Sequence, residues 1–140
     1  LKASDITVNA KGATLADHNT STVESSIASI ELPSAAEYKF DPRDAKRDGQ
    51  SIRRTIERFK GAVYAQYAKA LRVNPDLAGR FIFTFVVLPD GSIDLLKLKT
   101  SELGDEVLEK QLLDKIRQIK FGKEDTVPTA FEYMFAFLPS

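Results

Sequence analysis

Three segments in the second half of the chain show patterns that are typical of β-strands. Residues 80–88 are apolar on both faces, as in a central strand, and residues 92–100 follow as the strand that returns from it. Residues 129–138 place four aromatic side chains on one face. These side chains are Phe131, Tyr133, Phe135 and Phe137. The pattern therefore predicts three strands, of which the last is strongly aromatic.

The connection between the first two strands has the composition of a tight turn. In the sequence PDGS (89–92), proline presets the backbone angle φ, and glycine can adopt the left-handed conformation. Ile93 and Leu98 are five positions apart, an odd spacing, so both can face the core only if the strand changes parity. We therefore predict a β-bulge near Leu95 or Leu96.

Helical periodicity predicts two amphipathic helices, over residues 51–72 and 105–119. Their apolar stripes consist of Ile52, Ile56, Phe59, Val63 and Tyr67 in the first helix and of Leu108, Leu112, Ile116 and Ile119 in the second. Ser51 is the predicted N-cap of the first helix, and Pro75 ends it. The second begins with acidic residues and ends with basic ones, which suits the helix dipole.

The element order helix, strand, strand, helix, strand predicts an α+β fold. We expect a three-stranded antiparallel sheet with the two main helices on one face. The passage from the second strand through a helix to strand 129–138 is a crossover, so we expect that strand to lie at an edge, beside strand 80–88.

Residues 1–50 differ in composition from residues 51–140. They are rich in alanine, serine, threonine and aspartate, and we interpret them as an N-terminal linker or a partly docked segment. Within them, Val23, Ile27 and Ile30 have a helical spacing that predicts a short helix near 22–31. We expect this helix to cover the sheet face that the two main helices leave open.

The charges of the chain balance. It has 140 residues, with 20 Lys+Arg against 20 Asp+Glu, so no global charge favours nucleic acid or anionic lipid. Locally, residues 43–72 carry nine basic and three acidic residues. A nucleic-acid-binding module that uses this basic helix is therefore the alternative function. Because Asp44, Asp48 and Glu57 interrupt the stretch, we expect residues 43–60 to form a solvated helix face instead.

The sequence shows no catalytic pattern. Cysteine is absent, which excludes disulfides and thiolate metal sites, and His18 stands alone in a polar segment. We find neither a nucleophile-elbow motif nor a glycine-rich phosphate loop nor a metal-ligand spacing. We therefore expect no enzyme activity, no cofactor and no metal. The chain has no apolar run of membrane-spanning length and starts without methionine, so we expect an anchor or export signal upstream of Leu1.

The spacing from Gly79 onward resembles a known family. Apolar residues follow this glycine at alternate positions, Asp90-Gly91 forms the turn, and a helix ending in IKF precedes the closing strand FEYMFAFLP. This order resembles the C-terminal domain of TonB-like energy transducers. The helix and loop IERFKGAVYAQYAKALRVNPDLAGR are most similar to the AgmX/PglI C-terminal branch, and the resemblance covers about residues 52–139.

The resemblance implies a periplasmic, non-enzymatic adaptor of the cell envelope that grips a protein partner and transmits force. An upstream segment would anchor it in the inner membrane beside an ExbB/ExbD-type motor. It also implies that an extended partner segment adds to the last strand. The predicted partner-binding residues are Phe131, Glu132, Tyr133, Met134, Phe135, Ala136 and Phe137, with Tyr64, Tyr67 and Arg80 as a possible pocket. Cover by the chain's own N-terminus and pairing in a homodimer are the alternatives for this edge.

Overall fold

The aromatic strand at the end of the chain pairs along its length with two neighbours. The structure is a computed structural model, and it describes residues 22–34, 36–41 and 43–138. The elements in chain order are β1 (Thr22–Ile30), α1 (Gly49–Arg58), α2 (Lys60–Leu71), β2 (Gly79–Val87), β3 (Ile93–Ser101), α3 (Glu106–Arg117) and β4 (Thr129–Leu138). The four strands form one antiparallel sheet in the order β1-β4-β2-β3. The α+β class is confirmed, but the prediction of three strands is wrong.

The core lies between the three helices and one face of the sheet. The aromatic residues of β2 and β4 meet across the strands on this face, with ring centroids 5.7 Å apart for Phe83 and Tyr133 and 5.9 Å apart for Phe85 and Phe131. Helix α1 lies against β1, α3 against β3, and α2 between them. Tyr67 of α2, for example, packs against Phe137, with the ring centroids 4.7 Å apart and the ring planes tilted by 50°. The aromatic alternation in β4 therefore fixes that strand to the helices.

The segment predicted as a short helix near 22–31 is instead the strand β1. Val23 and Ile27 are four positions apart, a spacing that puts two side chains on one face of either a helix or a strand. In the strand, both lie opposite β4 residues of the helix face, whereas Ile30 falls on the other face. The prediction that this segment docks on the open face of the sheet is therefore wrong, since it extends the sheet sideways.

The edge position predicted for strand 129–138 is also wrong. β4 pairs with β2 on one side and with β1 on the other, from Thr22 opposite Leu138 to Ile30 opposite Ala130. The crossover argument correctly placed β4 beside β2. It could not show a fourth strand, because that strand comes from the segment read as a linker.

The predicted first helix is divided in two. Helix α1 ends at Arg58, α2 begins at Lys60, and Phe59 between them has a non-helical backbone. The poor helix propensity of Gly61 weakens the helix at this point, and Phe59 is exposed rather than part of the apolar stripe. Asp48, not Ser51, caps α1 by accepting a hydrogen bond from the Gln50 amide.

The predicted bulge in β3 is confirmed. Between the pairs Thr84–Lys97 and Val86–Asp94 the register shifts by one residue, and Leu95 between them has a positive φ of 49°. A second shift follows, because Ile82 faces Thr100 whereas the next residue of β2 faces Leu98. Both irregularities lie in the strand at the far edge of the sheet from β1.

Candidate functional site

The two edges of the sheet differ in how they resist pairing with another chain. Among the described residues, β1 pairs only with β4, and β3 pairs only with β2. β3 carries two register shifts and the exposed Lys97 and Lys99, all of which discourage the addition of a further strand. β1 has nine residues in unbroken register and contains neither proline nor lysine. The outer edge of β1 is therefore the less protected edge.

A polar cluster joins β1 to helix α1. The Ser25 hydroxyl donates to Glu57 of α1, and the Tyr133 hydroxyl lies 3.0 Å from Ser25 Oγ and 3.3 Å from Glu57 Oε2. Arg53 donates from Nη2 to the Ser25 main-chain oxygen at 3.3 Å. Burial raises the pKa of the Tyr133 phenol well above its ordinary value, so this group stays protonated and remains a donor. The cluster holds α1 alongside the edge strand.

A shallow cavity of about 430 Å³ lies on the outer side of α1. Its lining consists of Gln50, Arg53, Arg54, Glu57 and Arg58. Two of these residues, Arg53 and Glu57, are the ones that contact Ser25, so the cavity borders the β1 edge. Three arginines thus line this side of α1, and one of them, Arg53, contacts the edge strand. We call this surface, formed by β1 and the five lining residues, the β1–α1 groove.

The seven predicted partner-binding residues of β4 do not form an open edge. Phe131, Tyr133, Phe135 and Phe137 are core residues without exposed surface. The other three lie half-buried on the opposite face, where Glu132 pairs with Lys99 at 2.5 Å. A partner segment could pair with these seven residues only after β1 had left β4. Binding along β4 stays a prediction, and it now requires exchange of one strand for another.

The three residues of the predicted pocket do not come together. Tyr67 is fully buried, and its hydroxyl donates to the Leu77 main-chain oxygen at 2.7 Å. Tyr64 is partly exposed on α2. Arg80 precedes the core residue Phe81 in β2, so it lies on the opposite face of the sheet, where it pairs with Glu102 at 3.1 Å. Their hydrogen bond raises the pKa of Arg80 and lowers that of Glu102.

The basic stretch 43–60 is only partly a solvated face. Arg43, Arg54 and Arg58 are exposed as expected, but the Arg47 side chain is only 1% exposed. Its guanidinium group donates to four main-chain carbonyls and to one carboxylate. These acceptors are Leu88 O, Pro89 O, Phe121 O, Gly122 O and Glu124 Oε2. Arg47 therefore joins the β2–β3 turn to the loop before β4, a role that no local sequence pattern indicates.

Groups that could perform chemistry are sparse in the part of the chain that the structure describes. There, no group of three or more His, Cys, Asp or Glu side chains is placed to hold a metal ion. His18 lies outside the described residues. Within the same described ranges, no helix is both long and apolar enough to cross a membrane.

Comparison of the chain with protein-family models, with curated proteins and with solved structures gave no match. The likeness to TonB-like C-terminal domains therefore stays a resemblance carried by the spacing of residues 52–139.

Proposed function

We propose that the chain is a non-enzymatic adaptor domain that binds a partner protein by strand addition. The partner's extended segment would pair with the outer edge of β1 and continue the antiparallel sheet beyond it. In this mode of recognition, main-chain hydrogen bonds supply affinity, and side chains at alternate positions supply specificity.

The difference between the two sheet edges carries this proposal. β3 is bulged and carries lysines, whereas β1 is regular and carries small, mostly uncharged side chains such as Ser26, Ala28 and Ser29. Soluble proteins usually protect an edge of this length, because it can template pairing with other chains. An edge left regular over nine residues is the feature expected of a strand that accepts a partner.

The cellular setting belongs to the same proposal and is supported by the resemblance alone. We propose a TonB-like, AgmX/PglI-type domain of the periplasm, which an upstream anchor connects to the inner membrane. There it would couple its partner to an ExbB/ExbD-type motor and transmit force to it. The alternative, nucleic-acid binding by the basic segment 43–72, has less support now that Arg47 of that segment is buried.

A disulfide between β1 and β4 separates strand addition from strand exchange. Ser26 and Met134 face each other across the two strands, away from the helices, and the chain has no cysteine of its own. The Ser26→Cys/Met134→Cys double variant can therefore be locked by oxidation and released by reduction. Peptides selected from a displayed random library on the natural sequence serve as probes.

We expect the selected peptides to bind the oxidised and reduced double variant with equal affinity, since β1 stays in place. The Ser26→Ala/Met134→Leu variant is the control for loss of the side chains. Peptides that bind only the reduced form would show exchange at β4. Selection of no peptides, or of peptides that leave the β1 amide signals unchanged in NMR spectra, would overturn the proposal. Self-association in sedimentation experiments would point to pairing of two β1 edges in a homodimer.

A further inference from the structure

The cationic side of the β1–α1 groove has no acidic counterpart among the described residues. No described carboxylate lies within 4 Å of the guanidinium groups of Arg53, Arg54 or Arg58. Glu57, which also lines the groove, is already engaged by Ser25 and Tyr133 and lies 3.5 Å from Lys60. Three positive charges therefore line the groove, and none of them forms an ion pair with a described carboxylate.

Along the axis of α1, Arg53 and Arg54 lie about 6–7.5 Å from Arg58, which is close to the spacing of about 6.6 Å between alternate residues of a strand. Helix α1 rises by about 1.5 Å per residue, and a strand by about 3.3 Å per residue. Gly49 lies near Ser29, whereas Arg53 and Glu57 contact Ser25, so α1 runs antiparallel to β1 at close range. A segment added to β1 would thus run along the row of arginines rather than across it.

Arg53 also occupies part of the edge itself. Its Nη2 donates to the Ser25 main-chain oxygen at 3.3 Å, and its Nε is buried without a hydrogen-bond partner among the described residues. An incoming strand needs main-chain acceptors of this kind for its own amides. A carboxylate in that strand would bind the guanidinium group in a stronger, charge-assisted bond and release the Ser25 oxygen for pairing.

We infer that the β1–α1 groove recognises an acidic extended segment of a partner protein. This inference rests on the proposed function, and it adds the chemistry of the partner. Two carboxylates at alternate positions of the segment, about 6.6 Å apart, pair with Arg58 and with Arg53 or its neighbour Arg54, while the main chain of the segment pairs with β1. Arg53 therefore determines specificity, because its bond to the Ser25 oxygen competes with a neutral strand, whereas an acidic strand binds the guanidinium group itself.

Three ten-residue peptides test the charge preference. They alternate valine with glutamate, glutamine or lysine, and each is titrated into the 15N-labelled chain. We expect the glutamate peptide to bind tightest, with shifts in the β1 amides and an affinity that falls as salt screens the charges. Arg53→Gln should weaken the glutamate peptide by about tenfold without weakening the glutamine peptide. The matched control is Arg72→Gln, an exposed arginine at the end of α2 that should leave both affinities unchanged.

Two further probes separate the sources of failure. A glutamate peptide N-methylated on the amides that face β1 keeps its charge but cannot pair, so it should lose binding, whereas methylation of the other amides should not. Equal binding of the glutamate and glutamine peptides would overturn the charge inference and leave strand addition intact. No binding by any peptide, or equal binding by the two methylated forms, would overturn both the charge inference and the proposal of strand addition at β1. If single-stranded DNA bound in the groove more tightly than the glutamate peptide, the inference of an acidic protein segment would be overturned in favour of a nucleic-acid ligand.

Discussion

Replacement of Arg47 by methionine tests whether this buried arginine ties the loops to the sheet. Methionine keeps most of the side-chain length but removes the charge and every donor. In the structure, the guanidinium group donates to four main-chain oxygens and to Glu124, which is 44% exposed. The variant thus leaves four carbonyl oxygens and the Glu124 carboxylate without the donors that the buried guanidinium group supplies.

The magnitude follows from this geometry. Removal of one partner of a buried, hydrogen-bonded charge typically costs about 3–5 kcal/mol. The acceptors lie in surface loops that can open to water, so we expect a value near the lower end, about 3 kcal/mol. With a typical urea dependence of about 2 kcal/mol per molar for a small domain, the unfolding midpoint should fall by about 1.5 M.

Urea unfolding measured by circular dichroism, with Arg54→Met as the matched control, checks this value. Arg54 is exposed on α1, so its replacement should change the free energy of unfolding by no more than about 0.5 kcal/mol. Arg47→Lys keeps the charge but loses the planar set of guanidinium donors, so its loss of unfolding free energy should lie between those of Arg47→Met and Arg54→Met. A loss below about 1 kcal/mol for Arg47→Met would refute the reasoning, because the carbonyls would then be satisfied without Arg47.

Three further predictions concern the core and the loss of stability at alkaline pH. Phe135→Ala should reduce the free energy of unfolding by about 3–5 kcal/mol. The control Val107→Ala, at an exposed position, should reduce it by no more than about 0.5 kcal/mol. Near-equal melting temperatures of the two variants would place Phe135 outside the core. Tyr67→Phe removes the buried bond to Leu77 O and should cost about 1–2 kcal/mol in chemical denaturation; no loss would mean that this bond contributes nothing. Burial, then the hydrogen bond and charge of Asp94, raises the pKa of Tyr38 from 10.0 to about 12. The stability that the neutral Tyr38 phenol contributes is therefore fully present below pH 10 and is lost as the pH rises towards 12. Tyr38→Phe should accordingly make the free energy of unfolding fall less steeply between pH 10 and pH 12. An unchanged pH dependence would contradict the Tyr38–Asp94 contact.

The elements with a single strong periodicity could be predicted from the sequence. β4 alternates aromatic residues over seven positions, from Phe131 to Phe137, and its observed bounds agree with the prediction. The second helix, predicted over 105–119, spans Glu106–Arg117 with Asp105 as its N-cap. The bulge near Leu95 followed from an odd spacing that only a parity change can resolve. In each case one local pattern allowed only one structure.

The candidate site could not be predicted, because it depends on contacts between distant parts of the chain. The spacing of Val23 and Ile27 is compatible with a helix and with a strand, and only pairing with β4 decides between them. Once β1 is added, the open edge moves from β4 to β1, and the arginines of α1 become its neighbours. The burial of Arg47 likewise depends on two loops more than 40 positions further along the chain.

Strand addition at β1 is tested most directly by measuring nuclear Overhauser effects between the labelled chain and a bound glutamate–valine peptide. We predict cross-strand contacts from the peptide main chain to the amides of residues 22–30. The existing contacts between Ser26 and Met134 across β1 and β4 should persist in the complex. Peptide contacts to the main chain of β4, with loss of the Ser26–Met134 contacts, would contradict the account, as would contacts confined to loops or to the open face of the sheet.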